Sequence, residues 1–231
     1  MTLQDLTGIG TILFDYDGTL HNSAESYVAA FHITYDGLVA RGLAPERDFQ
    51  RNEITRFLGY PPEEMWQLCL PSLPAEERSA AIARLGTVLR QRAADGKAQL
   101  YDGALETVWA LRQKGYRTLL LSHCDQAYLD AHSKAFQLSR YFDALYCTES
   151  FGYAPKFEVF PQIVSAFPPQ YLVVGDRKQD IEMGRRNGVR TIGCTYGFAA
   201  DGELNDADVL ISDIGALLSL PDAASSCGLS E

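Results

Sequence analysis

The first apolar run, Ile9 to Phe14, is short and unbroken and reads as a strand buried on both faces. From about Ser23 to Asp95 the pattern predicts helices alone. Ser23 caps one that runs through Tyr27, Val28, Phe31 and Tyr35 toward Arg41-Gly42. Pro61-Pro62-Glu63-Glu64 opens a second, with proline in its first turn and acids at its positive end. Pro74-Ala75-Glu76-Glu77 opens a third, which runs to Asp95-Gly96.

From Leu100 onward helix and strand alternate. Helices are predicted over Gly103–Lys114, Asp125–Gln137, Phe157–Phe167, Gln179–Asn187 and, briefly, Ile214–Leu218. Strands are predicted over Tyr116–Ser122, Ala144–Cys147, Tyr171–Val174, Val189–Thr195 and Val209–Ile211. This alternation predicts an α/β fold, a Rossmann-like parallel sheet with both faces covered. An all-helical cap subdomain is inserted in it. The expected division is 1–20 and 98–231 for the core and 21–97 for the cap. The insert follows the first strand directly, so it is expected to stand over the site and to act as a lid. The small, polar residues Asp222 to Glu231 are expected to fray.

Composition narrows the function. The chain has 231 residues, 46% of them apolar, enough for one large core with an inserted subdomain. Its formal charge of −10 gives no bulk attraction to nucleic acid or to an anionic membrane. An anionic ligand must therefore be bound locally. Nine basic residues face ten acidic ones between His21 and Lys97, against 11 and 20 elsewhere, so the insert is near neutral and the core acidic. Salt-bridging charges on exposed helices account for that balance equally well. No apolar run reaches membrane-spanning length, and Met1-Thr2-Leu3-Gln4-Asp5 does not begin a secretory signal. The cysteines Cys69, Cys124, Cys147, Cys194 and Cys227 are odd in number and widely spaced, which favours free thiols in a reducing cytoplasm.

Candidate chemistry gathers at the carboxyl ends of the predicted strands, where open α/β sheets bind ligands. Asp15-Tyr16-Asp17-Gly18-Thr19-Leu20 follows the first strand. Two acids so close resist deprotonation unless a cation shares the site, and Gly18 permits a sharp bend. Ser122 ends the second strand, with His123 beside it. Lys156 follows the third, in Gly152-Tyr153-Ala154-Pro155-Lys156. Gly175-Asp176-Arg177-Lys178-Gln179-Asp180 follows the fourth and repeats the acidic logic of the first motif.

With these motifs the chain resembles the haloacid dehalogenase-like superfamily, in its phosphoglycolate phosphatase-like branch, from about Ile9 to Leu218. The resemblance implies a nucleophile at Asp15, a general acid/base at Asp17 and a phosphoryl-holding hydroxyl at Ser122. It implies Mg2+ held by Asp15, the backbone carbonyl of Asp17, Asp176 and water, with Asp180 in support. Gly18, Thr19, His123 and Arg56 are the expected substrate-binding residues, Arg56 lying in Arg56-Phe57-Leu58-Gly59-Tyr60-Pro61, which is similar to the family's specificity loop. One departure stands out. The family's lysine position is occupied by Ala154, so Lys156 must reach back into the site if that charge is to be supplied.

Relatives within the superfamily are separated by what is missing. Dehalogenation needs no second aspartate, so Asp17 argues against it. Phosphonate cleavage uses a cap lysine, and this insert has none before Lys97. The expected function is hydrolysis of a small phosphorylated metabolite through an aspartyl-phosphate, by a cytoplasmic monomer or homodimer. The alternatives are a catalytically weak or inactive member that binds a phosphorylated ligand or a protein, and a sugar-phosphate mutase.

Overall fold

The computed structural model describes residues 1–58 and 60–223. Cys227, Gly59 and most of the expected frayed tail lie outside the described residues. The chain separates into two compact units, Met1–Asn22 with the chain from Leu100 onward, and Ser23–Gln99.

The α/β unit is built on six parallel strands: β1 (Thr11–Phe14), β2 (Arg117–Ser122), β3 (Ala144–Cys147), β4 (Tyr171–Gly175), β5 (Arg190–Cys194) and β6 (Val209–Ile211). Their order across the sheet is β3-β2-β1-β4-β5-β6. Every neighbouring pair is parallel. β1 is buried throughout, as its unbroken apolar run predicts for a central strand. From β1 the chain winds outward through β2 to β3, then returns to lay β4 on β1's other side. That reversal opens a crevice at the carboxyl ends of β1 and β4. The acidic motifs after these two strands meet there.

The insert is a helical unit with its own core. Its helices are α1 (Ala24–Ala40), α2 (Arg51–Thr55), α3 (Pro62–Cys69) and α4 (Ala75–Ala94). Phe31 stacks on Trp66 at 5.8 Å and on Tyr35 at 5.8 Å, and meets Phe49 edge-on at 5.0 Å. Such aromatic packing gives a small unit the buried area that its length would otherwise limit. The pattern did not predict α2. It is five residues long and buries only Ile54, too little for a helical period to register.

The remaining helices are α5 (Ala104–Gln113), α6 (Gln126–Phe136), α7 (Lys156–Val164) and α8 (Lys178–Arg186). Each lies within a few residues of its expected place. The expected terminal helix is a 3-10 turn over Ile214–Ser219. No helix among the described residues is long and apolar enough to cross a membrane.

Candidate active site

β1 delivers Asp15 into the crevice. The Asp15 backbone N–H donates to the Val174 carbonyl at 2.9 Å, which extends the β1–β4 ladder one step and fixes where the side chain leaves the sheet. The chain then folds into a tight turn, in which the amides of Thr19, Leu20 and His21 all donate to the Tyr16 carbonyl. Gly18 sits at φ +85°, and a β-carbon there would run into the Asp176 carboxylate. Only glycine lets this turn lie against the acid from β4.

Asp176 and Asp180 come from the end of β4 and the first turn of α8. Asp176 is fully buried. It accepts from Thr19 Oγ1 at 3.1 Å and from the Phe198 amide at 2.7 Å. Asp180 accepts from the Arg177 amide at 3.0 Å, closing the helix N-terminus. A β-carbon on Gly175 would collide with the Asp180 side chain, so the strand end and the helix start are in close contact.

Lys156 joins these acids. It is the first residue of α7, after Pro155, and only 6% exposed. Its Nζ donates to Asp15 Oδ1 at 2.6 Å and to Asp180 Oδ1 at 2.7 Å. The lysine charge missing at Ala154 is thus present at the acids by another route.

Asp15, Asp176 and Asp180 each offer an oxygen within 4.8 Å of the others. Burial, then Asp180, pushes the Asp15 carboxyl up to about 7, against the pull of Lys156. Burial, then Asp15 and Asp180, pushes Asp176 well above the ordinary range. Burial opposes the Lys156 charge, yet Asp15 and Asp180 hold that ammonium above its usual value. Among the described residues one ammonium bonds two of the three buried acids, so the group remains short of positive charge. An all-oxygen donor set with this deficit fits a hard divalent cation such as Mg2+.

Asp17 points elsewhere. The resemblance gives the metal its backbone carbonyl, and its carboxylate lies outside the three-acid group. Its Oδ1 accepts from His21 Nδ1 at 2.7 Å and from the Tyr128 hydroxyl at 2.8 Å. A carboxylate can only accept, so both neighbours donate. Burial alone would raise the Asp17 pKa, but the bond from His21, its charge, His132 and Tyr128 together hold it below the usual range.

Ser122 ends β2, almost wholly buried. It lies two residues beyond Leu120, the partner of Phe14 in register, and so flanks the end of β1. His123 is tied to Thr148 Oγ1 at 3.1 Å. Burial, then Lys156, lowers its pKa and so favours the neutral ring. The Thr19 hydroxyl, expected at the substrate, is committed to Asp176. Arg56 belongs to the helical unit, where its guanidinium lies 4.7 Å above the Phe57 ring. Sequence reasoning passed over His21, Tyr128 and His132, which surround Asp17. The one available signal was the spacing of Tyr128 and His132, a single turn apart on a helix.

The family model for haloacid dehalogenase-like hydrolases matches residues 12–194. The chain belongs to this family. It is 27% identical over 226 residues to a phosphoglycolate phosphatase of Agrobacterium fabrum, covering 94% of this chain and 93% of that protein. It is 26% identical over 196 residues to the pyrophosphatase PpaX of Listeria monocytogenes, covering 83% of this chain and 86% of that protein. A solved structure of a predicted phosphoglycolate phosphatase from Haemophilus somnus superposes with a TM-score of 0.80 at 20% identity, covering 92% of this chain and 97% of that one. That likeness speaks to the fold alone.

Proposed function

We propose that this protein is a Mg2+-dependent phosphatase that hydrolyses a small phosphorylated metabolite in the cytoplasm through an aspartyl-phosphate on Asp15. The observation that carries the reading is the convergence of Lys156 on Asp15 and Asp180, beside Asp176.

Electrostatics explain the residue types. A carboxylate attacking a phosphate ester is an anion approaching an anion. Unit charges roughly 4 Å apart repel by about 4 kcal/mol at an effective dielectric near 20. Lys156 offsets part of this at the attacking oxygen. Asp15, Asp176 and the Asp17 carbonyl would hold Mg2+, with Asp180 in support. When bound, the ion supplies the remaining positive charge toward the phosphoryl oxygens.

The steps then follow from the side chains. An Asp15 oxygen forms a bond to phosphorus as the ester P–O bond breaks. Asp17, once it has taken up the proton that a phosphomonoester monoanion carries in, gives that proton to the departing oxygen. Asp17 next takes a proton from water as that water attacks the aspartyl-phosphate, which frees phosphate and restores Asp15. Ser122, at the end of the neighbouring strand, holds the phosphoryl group.

The test is phosphate release from a generic aryl phosphate, with Asp15→Asn beside the unsubstituted protein. Turnover lost in Asp15→Asn supports the reading. Full activity in that variant, or equal rates with Mg2+ and with excess chelator, sinks it.

A further inference from the structure

Among the described residues, Asp17 reaches its neighbours through one side-chain atom. Both of its side-chain hydrogen bonds, from His21 Nδ1 and from the Tyr128 hydroxyl, fall on Oδ1. A carboxyl oxygen has two lone pairs, so two donors fill it. A proton on a neutral Asp17 carboxyl is therefore carried by Oδ2.

The two donors are themselves held. Tyr128 stands at the third position of α6, and its amide donates to the capping Asp125 at 2.6 Å. His132, one turn further on, packs its ring 4.2 Å from Tyr128 and 4.6 Å from His21. It also shares a 2.9 Å hydrogen bond with the Tyr16 hydroxyl, and Tyr16 is the residue just before Asp17. His21 is completely buried, and its Nε2 has no hydrogen-bond partner among the described residues. An unpartnered buried polar atom is unfavourable, and an apolar side chain would avoid it. Its Nδ1 contact with Asp17 gives the histidine a reason to be there.

We propose that Tyr128 and His21 are positioning residues that lock the Asp17 carboxyl through Oδ1 and present Oδ2 as the atom that protonates the leaving oxygen. This rests on the phosphatase reading above. In the step concerned, the Oδ2 proton is the one the phosphomonoester monoanion carries in; the Asp15–phosphorus bond forms, the ester P–O bond breaks, and that proton moves to the leaving oxygen, so that no further reactant is needed. The lock matters in proportion to the leaving group's need for a proton. It matters most for a phosphomonoester of an alcohol and least for one whose leaving group departs as a stable anion.

The experiment compares kcat/KM for phenyl phosphate and for dinitrophenyl phosphate, because kcat/KM reports the first phosphoryl transfer and not the later attack by water. The proteins are the unsubstituted chain, Tyr128→Phe, His21→Leu and His21→Asn. Tyr128→Phe removes one hydroxyl, and His21→Asn keeps a donor near the place of Nδ1. Tyr128→Phe and His21→Leu are expected to lose about tenfold or more on phenyl phosphate relative to dinitrophenyl phosphate. His21→Asn is expected to recover most of that difference. Equal losses on the two esters, or no loss on either, overturn the positioning role and leave the phosphatase reading standing. No turnover of either ester by the unsubstituted protein overturns both.

Discussion

Lys156 Nζ lies 2.6 Å from Asp15 Oδ1, although Lys156 stands two positions later than the lysine the sequence pattern leads one to expect. The helix start explains the reach. α7 begins at Lys156 itself, so its side chain leaves from the first turn rather than from the preceding loop. The same Nζ also meets Asp180, so one ammonium ties the β1 acid to the α8 acid.

Replacing Lys156 with methionine is therefore expected to lower kcat/KM by about a hundredfold or more, the scale found when a preorganised charge at the reacting centre is removed. Lys156→Arg should retain part of the activity, its larger fork fitting poorly between two acids. Losing one member of a buried ion group also costs about 3–5 kcal/mol of stability, so melting is to be followed alongside rate. Steady-state kinetics at saturating Mg2+ decide the matter, and an unchanged rate for Lys156→Met would mean that the charge is not used.

Mg2+ is expected to raise the melting temperature, because a ligand that binds only the folded state stabilises it. At a hundred times its dissociation constant the gain is about 2.7 kcal/mol. Asp176→Asn, which removes one charge from the three-acid group, should greatly shrink the shift. Thermal melts with Mg2+ and with chelator read this directly. An identical Mg2+ shift in Asp176→Asn would place the ion elsewhere.

How much of this was legible in the sequence depends on the range of the interaction. β1, β2 and β4 were readable because a strand covered on both faces is an apolar run with turn residues beyond it. The acids after β1 and β4 were readable for the same reason, since a strand end announces them. The Asp17 surroundings were not. Tyr128 lies 111 residues from Asp17 in the chain, and only the packing of α6 brings it there. Nor could the sequence say whether Lys156 reaches Asp15, because that turns on a helix boundary, the least readable feature of a pattern.

Glu203 should make stability depend on acid pH. Its carboxylate accepts from the Lys178 amide at 2.9 Å, the Arg177 guanidinium at 2.8 Å and the Ala200 amide at 2.8 Å. Burial alone would raise its pKa, but the Lys178 amide, Arg177 and the Ala200 amide together bring it below the ordinary value. A folded-state pKa below the unfolded one stabilises the fold above the unfolded value, and that contribution fades as pH falls through the folded one. Glu203→Gln should thus cost about 1–2 kcal/mol near neutrality. The gap from the unsubstituted protein should close below about pH 4, near the unfolded glutamate value. Urea melts across that range measure it, and a gap constant from neutral to acid pH contradicts the assignment.

Gly18→Ala tests the contact on which the acidic crevice depends. A left-handed residue other than glycine costs about 1–2 kcal/mol. Here the added methyl also meets the Asp176 carboxylate, so either the turn or the acid must move. Overpacking of that kind adds about 1–3 kcal/mol. If the turn moves, Asp17 leaves His21 and Tyr128. If the acid moves, Asp176 loses Thr19 and the Phe198 amide. Either displacement should reduce activity and weaken the Mg2+-induced rise in melting temperature. Gly42→Ala is the control, since Gly42 is also left-handed, at φ +70°, but a β-carbon there meets nothing within 4 Å. It should show the backbone cost alone, with activity retained. Equal losses of activity in the two variants would mean that the close approach to Asp176 has no functional consequence.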